Sequence, residues 1–376
     1  MVKVAKFVGL DVHKDSICMA VTQGGPVQSI PDPVTLPHDV PKLVKRLLAL
    51  APAEHLRVVY EAGPTGFGLC RELLKRGIHC IIVAPNRVPQ TRGPRVKTDK
   101  RDARNLAHQL RMGGLSPITL PDLELEALRD LLRAREDALV HRRRSRQQLK
   151  GFFLRHDVRC EGTGTWTTAY MQWARHAPLR AEALRLARDS YCDRIEWCDL
   201  ELQRITEQVE EIAAKLAGLH AKLYRAYQAL RGVKSIVSAT LVSELGDLTR
   251  FPGPTKLMGF LGMVPREEST GNRVWRGSIT KAGNPHVRRV LVEAAWSGRL
   301  RPACGKLLKK RQENLSEPVI DIASRAQKRL YKRHCSMRAR GKPQNIAVVA
   351  MARELLGFIW AIGIQTANEH AEQAPA

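Results

Sequence analysis

Lys6 to Thr22 reads KFVGLDVHKDSICMAVT, and the fold is decided there. The apolar run Lys6 to Asp11 ends in an acid, a tight turn follows, and Ser16 to Thr22 is apolar again, which predicts two strands joined as a hairpin. Leu56 to Glu61 (LRVVYE) is another buried strand closing on an acid, followed by the turn Ala62-Gly63-Pro64-Thr65-Gly66. Helical spacing marks Pro37 to Leu50 and Phe67 to Lys75, and Ile78 to Val83 (IHCIIV) reads as a further strand. The alternation predicts an α/β domain over residues 1–118, a mixed sheet with flanking helices.

From Pro121 the texture changes. Leu125, Leu128, Leu132 and Leu139 keep helical spacing up to the basic run His141-Arg142-Arg143-Arg144-Ser145-Arg146. Ile195, Cys198, Leu202, Ile205, Val209, Ile212, Leu216 and Leu219 then alternate steps of three and four, the seam of a long coiled-coil-like helix. Residues 119–225 are therefore expected to form a coiled-coil helical region, either an antiparallel hairpin within the chain or a dimer seam. A mostly helical C-terminal domain is expected over 226–362. It opens on two short helices around Gly232, a turn that could offer N–H groups to phosphate or simply pack closely. Residues 363–376, rich in Ala, Glu and Gln, are expected to be a disordered tail.

Composition narrows the function. The 376 residues carry 62 Lys+Arg against 37 Asp+Glu, a formal charge of +25. Such an excess favours a polyanionic partner, nucleic acid ahead of an anionic membrane. No apolar run is read as approaching the roughly 18 residues of a membrane span. Eight scattered cysteines without CxxC pairs argue against a disulfide scaffold or a zinc ribbon and for a reducing compartment.

Four acids stand out. Asp11 and Glu61 end separate strands, where side chains converge on a ligand crevice. Asp99 and Asp102 share one face of a helix that Thr98 can cap. Each acid alone would pass as a cap or a surface partner, Asp99 in particular because Lys97, Lys100 and Arg101 flank it. Jointly they follow ribonuclease-H-like order: an acid ending the first strand of a hairpin, an acid ending a later strand, and a paired-acid helix after the last strand. Gathered carboxylates repel unless cations neutralise them, and hard oxygen donors select Mg²⁺ or Mn²⁺. A second candidate site lies between Phe260 and Arg289. Hydroxyls at Ser269, Thr270, Ser278 and Thr280 are interleaved there with Arg266, Arg273, Arg276, Lys281, Arg288 and Arg289. An alcohol among cations suits attack on a phosphodiester, and the same set would serve phosphate gripping.

FVGLDVHK at Phe7–Lys14, YEAGPTG at Tyr60–Gly66, KTDKRDA at Lys97–Ala103 and the stretch from Leu261 to Arg289 together resemble the DEDD-type insertion-sequence transposases. That family is related to the Piv invertases and includes the bridge-RNA-guided recombinases. The resemblance covers nearly the whole chain. It implies a RuvC-like N-terminal domain, a coiled-coil middle and a C-terminal transposase domain. It further implies a Mg²⁺-binding tetrad, here Asp11, Glu61, Asp99 and Asp102, acting with a C-terminal hydroxyl nucleophile. Many members carry Ser-Lys-Ala-Gly where this chain has Thr280-Lys281-Ala282-Gly283, so Thr280 is the first candidate and Ser269 and Ser278 its rivals. Expected partners are donor and target DNA, a structured guide RNA and further copies of the chain, in the cytoplasm beside the nucleoid, with no membrane. Backbone-holding cations are expected at Arg142, Arg143, Arg144 and Arg146, and at Lys328, Arg329, Lys332 and Arg333 in the basic segment 325–342. The rival expectations are a RuvC-like junction resolvase or nuclease that uses water, and a non-catalytic basic RNA-binding scaffold.

Overall fold

Alternating burial builds a five-stranded sheet from the first third of the chain. The computed structural model describes residues 6–24, 31–89, 98–162, 164–270 and 273–373, which fall into two units, 1–121 and 122–376. Unit 1 runs β1 (Lys6–Val12), β2 (Ser16–Gln23), β3 (Val34–Pro37), α1 (Val40–Leu48), β4 (Leu56–Glu61), α2 (Gly68–Lys75), β5 (His79–Val83) and α3 (Asp99–Met112). The sheet order is β3-β2-β1-β4-β5. β2 runs antiparallel to β1 and β3, while β1, β4 and β5 are parallel. A 3-2-1-4-5 sheet in which the second strand alone is reversed is the ribonuclease-H-like arrangement.

Period-two alternation gives the sheet two apolar faces. Val8, Leu10, Val58 and Tyr60 pack with Leu43, Leu47, Leu69 and Leu73 of α1 and α2. The opposite face, with Cys18, Ala20 and Val59, takes Ala103, Leu106 and Ala107 of α3. The expected helix over Pro37–Leu50 is shorter than its apolar spacing suggests. Asp39 caps it by accepting from the Lys42 N–H, Pro41 sits in its first turn, and Val34–Pro37 before it forms the edge strand.

Unit 2 is mostly helical: α4 (Leu123–Arg155), α5 (Thr168–His176), α6 (Glu182–Ala214), α7 (Gly218–Tyr227), α8 (Ser235–Leu245), α9 (Pro254–Phe260), β6 (Pro265–Thr270), β7 (Arg273–Ile279), α10 (Pro285–Ala295), α11 (Lys306–Gln312), α12 (Glu317–Ala339) and α13 (Gln344–Glu372). The long helices α4 and α6 pair antiparallel within the chain. Arg135 meets Thr206, Arg146 meets Asp199 and Gln148 meets Arg194. The apolar seam of α6 is thus covered by α4 of the same chain, through Leu125, Leu128 and Leu132 at one end and Phe152 and Phe153 at the other.

Three expectations need correction. The helical region 119–225 and the C-terminal domain 226–362 are not separate bodies, because one core runs from Leu125 and Leu128 through Ile205 and Val209 to Leu355 and Ile362. Residues 363–376 are not a disordered tail up to Glu372, where α13 ends. Thr366 is buried, and Gly363 fits against Leu248 and Tyr227, where a β-carbon would stand 2.9 Å from each. Finally, α13 does contain an 18-residue window apolar enough to cross a membrane; half of it is buried within the protein, and Glu354 in its middle pairs with Arg329 and Arg333 of α12. The turn between α7 and α8 forms as expected, and close packing accounts for its glycine. Gly232 has φ 89°, and a β-carbon there would lie 2.3 Å from the Ala294 carbonyl oxygen.

Candidate active site

A glycine lets α3 bring Asp99 and Asp102 to Asp11. β1 has no side chain at Gly9, so α3 lies directly on the strand: a β-carbon would be 2.2 Å from the Ala103 oxygen and 2.5 Å from the Ala107 nitrogen. Two residues on, Asp11 projects from the same face of β1, at the end where α3 begins. Leu10 pairs with Tyr60 in the parallel register, so the next step sets Asp11 beside Glu61. Thr98 accepts from the Arg101 N–H and starts α3, which places Asp99 and Asp102 in its first turn. Negative charge there is favoured by the helix dipole.

Electrostatics report the convergence. The Asp11 carboxyl is pushed above its ordinary value, first by burial and further by the charges of Asp99 and Asp102, against the lowering pull of His13. His13 was not anticipated from sequence, although its place two residues after Asp11 was a signal. Its Nε2 lies 3.3 Å from Asp11 Oδ2 and 3.6 Å from Asp99 Oδ1. Ligand atoms of Asp11, His13 and Asp99 all fall within 4.8 Å of one another. Carboxylates gathered this closely, with solvent reaching them, form a donor set that suits a hard divalent cation.

The second cluster is held by glycines as well. Gly262 and Gly283 have φ of 65° and 76° and interlock: a β-carbon at Gly262 would stand 2.2 Å from the Ala282 oxygen, and one at Gly283 would stand 2.0 Å from the Phe260 oxygen. Thr280 donates its N–H to the Val264 carbonyl and Lys281 to that of Gly262, at 2.9 and 3.0 Å. Asn284 caps α10, accepting from the N–H groups of His286 and Val287, and donates to the buried Glu244 at 2.7 Å. Thr280 therefore sits on a latched loop at the start of α10. Ser269 sits on the exposed β6–β7 hairpin and donates to Glu267 at 3.2 Å, and Arg276 grips the same carboxylate at 3.0 Å. Ser278 is exposed on β7. Glu267 is the residue of this cluster that sequence reasoning missed.

Many of the expected backbone-holding cations have partners inside the chain. Arg142 and Arg146 both bind Asp199. Arg289 pairs with Glu136 and Glu293, and Arg329 and Arg333 with Glu354. Arg288 donates to the carbonyls of Leu261, Ala282 and Gly283, which makes it part of the latch. Arg143, Arg144, Arg266, Arg273, Lys281, Lys328 and Lys332 are exposed.

A ribonuclease-H-like sheet whose strand ends carry acids defines a class that works on nucleic-acid backbones. Comparison with known proteins narrows the class. Residues 8–156 match the IS110-type DEDD transposase domain, and residues 224–307 match the family described as "Transposase IS116/IS110/IS902 family". A putative transposase, y4qE, of Sinorhizobium fredii is 40% identical over 361 residues, 95% of this chain and 88% of that protein. The transposase for insertion sequence element IS1533 of Leptospira borgpetersenii is 28% identical over 349 residues, 89% of this chain and 97% of that protein. A probable family 20 transposase of Pseudomonas aeruginosa is 23% identical over 312 residues, 81% of this chain and 83% of that protein. The chain belongs to the IS110/IS116 family of DEDD insertion-sequence transposases and is a DNA transposase.

Proposed function

We propose that the chain cuts and rejoins DNA strands as an insertion sequence moves, with Asp11, Glu61, Asp99 and Asp102 holding Mg²⁺ or Mn²⁺ and a C-terminal hydroxyl as nucleophile. The approach of Asp99 and Asp102 to Asp11 on the α3 side of β1, with Glu61 next to Asp11 in the strand register, supports the reading. A bound divalent ion would supply charge stabilisation at the scissile phosphate. The hydroxyl oxygen attacks phosphorus, the phosphodiester bond to the departing DNA oxygen breaks, and the hydroxyl proton leaves through a neighbouring base. One phosphoester replaces another, so the reverse attack by a DNA hydroxyl rejoins strands without ATP.

Among the candidate hydroxyls, Ser269 has the stronger local support. Its bond to Glu267 supplies a carboxylate base, while Arg276 holds that carboxylate in place. Thr280 is the rival, more crowded by its β-branch. Guide RNA, several protomers and a place beside the nucleoid complete the proposal, and the excess of basic residues supports a polyanion-bound assembly.

The test is to denature a reaction on labelled DNA and look for label on the protein. Wild type and Thr280→Ala are expected to form the adduct and Ser269→Ala to lose it; the reverse pattern assigns Thr280. Cleavage without any adduct means that water is the nucleophile, as in a resolvase. Normal nucleic-acid binding with neither metal dependence nor sensitivity to Glu61→Gln means a scaffold. Sequencing RNA that copurifies with the chain tests the guide.

A further inference from the structure

The β6–β7 hairpin has nearly all of its residues exposed, and register sorts them into two sets. Ser269 opposite Val274 and Glu267 opposite Arg276 lie on one face; Glu268 opposite Trp275 and Thr270 opposite Arg273 lie on the other. Trp275 is 62% exposed. The Cη2–Cζ3 edge of its six-membered ring lies against Gly277, where a β-carbon would meet those two atoms at 3.1 Å. The Arg266 β-carbon is 3.8 Å from that same point. Arg273 follows on the Trp275 face two residues away, and both arginines are exposed. The indole makes no hydrogen bond or ring contact among the described residues.

A ring of this size adds nothing to a core from such a place. It presents an exposed π-face, one edge against glycine, on a hairpin face that also carries the exposed Arg266 and Arg273. We infer that Trp275 is a stacking platform for one unpaired base of the substrate DNA, with Arg266 and Arg273 holding the phosphates on either side. Stacking accepts any base, because every base has a π-face, and guanidinium forks match phosphate oxygens. Glu268 beside the ring repels phosphate and directs the strand's charge to the arginines. DNA is the occupant because the exposed Arg266 and Arg273 complement phosphate and the same hairpin carries Ser269, the hydroxyl proposed to attack the DNA strand. A base can meet the ring only once it has left its duplex, as strand exchange requires. The inference rests on the function proposed above and adds a positioning residue to it.

The test uses the full-length chain, EDTA and a single-stranded DNA oligonucleotide containing 2-aminopurine, so that neither metal nor nucleophile is needed. Wild type is expected to quench the probe on binding. Trp275→Ala should lose the quenching and bind about 5- to 150-fold more weakly, the range for one lost base stack. Trp275→Phe should restore most of both, and affinity for fully paired duplex should change little. Gly277→Ala, which keeps the indole but crowds its edge, should lower the quenching. Unchanged quenching and affinity in Trp275→Ala overturn the inference, as does equal loss on fully paired duplex or a loss confined to an RNA oligonucleotide. If those negatives occur while adduct formation persists, only the platform fails; if wild type binds no DNA, the function proposed above fails with it.

Discussion

Gly9 and Ala103 stand closer than any side chain allows, since a β-carbon on residue 9 would lie 2.2 Å from the Ala103 carbonyl oxygen. Both partners at that point are backbone, so neither can swing aside. The closeness sets the height of α3 above the sheet, and with it the distance from Asp99 and Asp102 to Asp11. Gly9→Ala must lift the helix or bend the strand. The expected cost is about 1–3 kcal/mol, as for overpacking a tight core, together with loss of metal-dependent strand cleavage. Thermal unfolding and a cleavage assay on the same sample check both; full activity in this variant would show that the acids do not depend on helix seating.

Asp11→Asn and Glu61→Gln remove a charge while keeping shape. Each is expected to lower cleavage on the order of 10²–10³-fold, the range for losing one electrostatic stabiliser, with DNA binding retained. Added Mg²⁺ or Mn²⁺ should raise the unfolding temperature of wild type, and Asp11→Asn should abolish that rise. A metal-induced shift that survives both substitutions would place the ion elsewhere.

Unit 1 was legible because four of its strands are short apolar runs, two of them, in β1 and β4, closing on an acid. Leu56–Glu61 matches β4 residue for residue. The edge strand Val34–Pro37 was missed because it is only four residues long and mostly exposed, with Leu36 its one residue packed on the core. The β6–β7 hairpin was missed for a related reason, since both its faces meet solvent and PREEST and RVWRGSI lack period-two contrast. The paired state of Arg142, Arg146 and Arg289 could not be read at all. Asp199 and Glu136 are distant in sequence and meet these arginines only when α6 and α10 pack on α4. Gly9 was readable as part of a motif but not as a packing device, because the helix it admits begins 90 residues later.

A pH dependence follows from Glu136 on α4. Burial alone would raise its carboxyl, but hydrogen bonding to His286 and the charge and hydrogen bond of Arg289 outweigh that and hold it below the ordinary 4.5. A folded-state value below the unfolded one gives stability that is present above the unfolded value and lost as pH falls through the folded one. Wild type should therefore be more stable than Glu136→Gln at pH 6–7, and the gap should close as pH falls below about 4. Unfolding midpoints across that range check it; a gap that widens on acidification would reverse the sign.

Salt dependence separates the two kinds of arginine on α4. Arg143 and Arg144 are exposed on the helix, whereas Arg142 and Arg146 are committed to Asp199 across the hairpin. Each exposed arginine that neutralises a duplex phosphate contributes about 0.9 to the slope of log affinity against log salt. Arg143→Ala and Arg144→Ala together should flatten that slope by up to roughly 1.8 if both contact DNA, with thermal stability unchanged. Arg142→Ala should leave the slope nearly intact and instead loosen the α4–α6 pair, lowering the unfolding midpoint. Affinity titrations between about 50 and 200 mM salt, a range that resolves such slopes, provide the measurement. The outcome that defeats this division is a slope that falls as much for Arg142→Ala as for Arg143→Ala, since an arginine held by Asp199 releases no counterion from DNA.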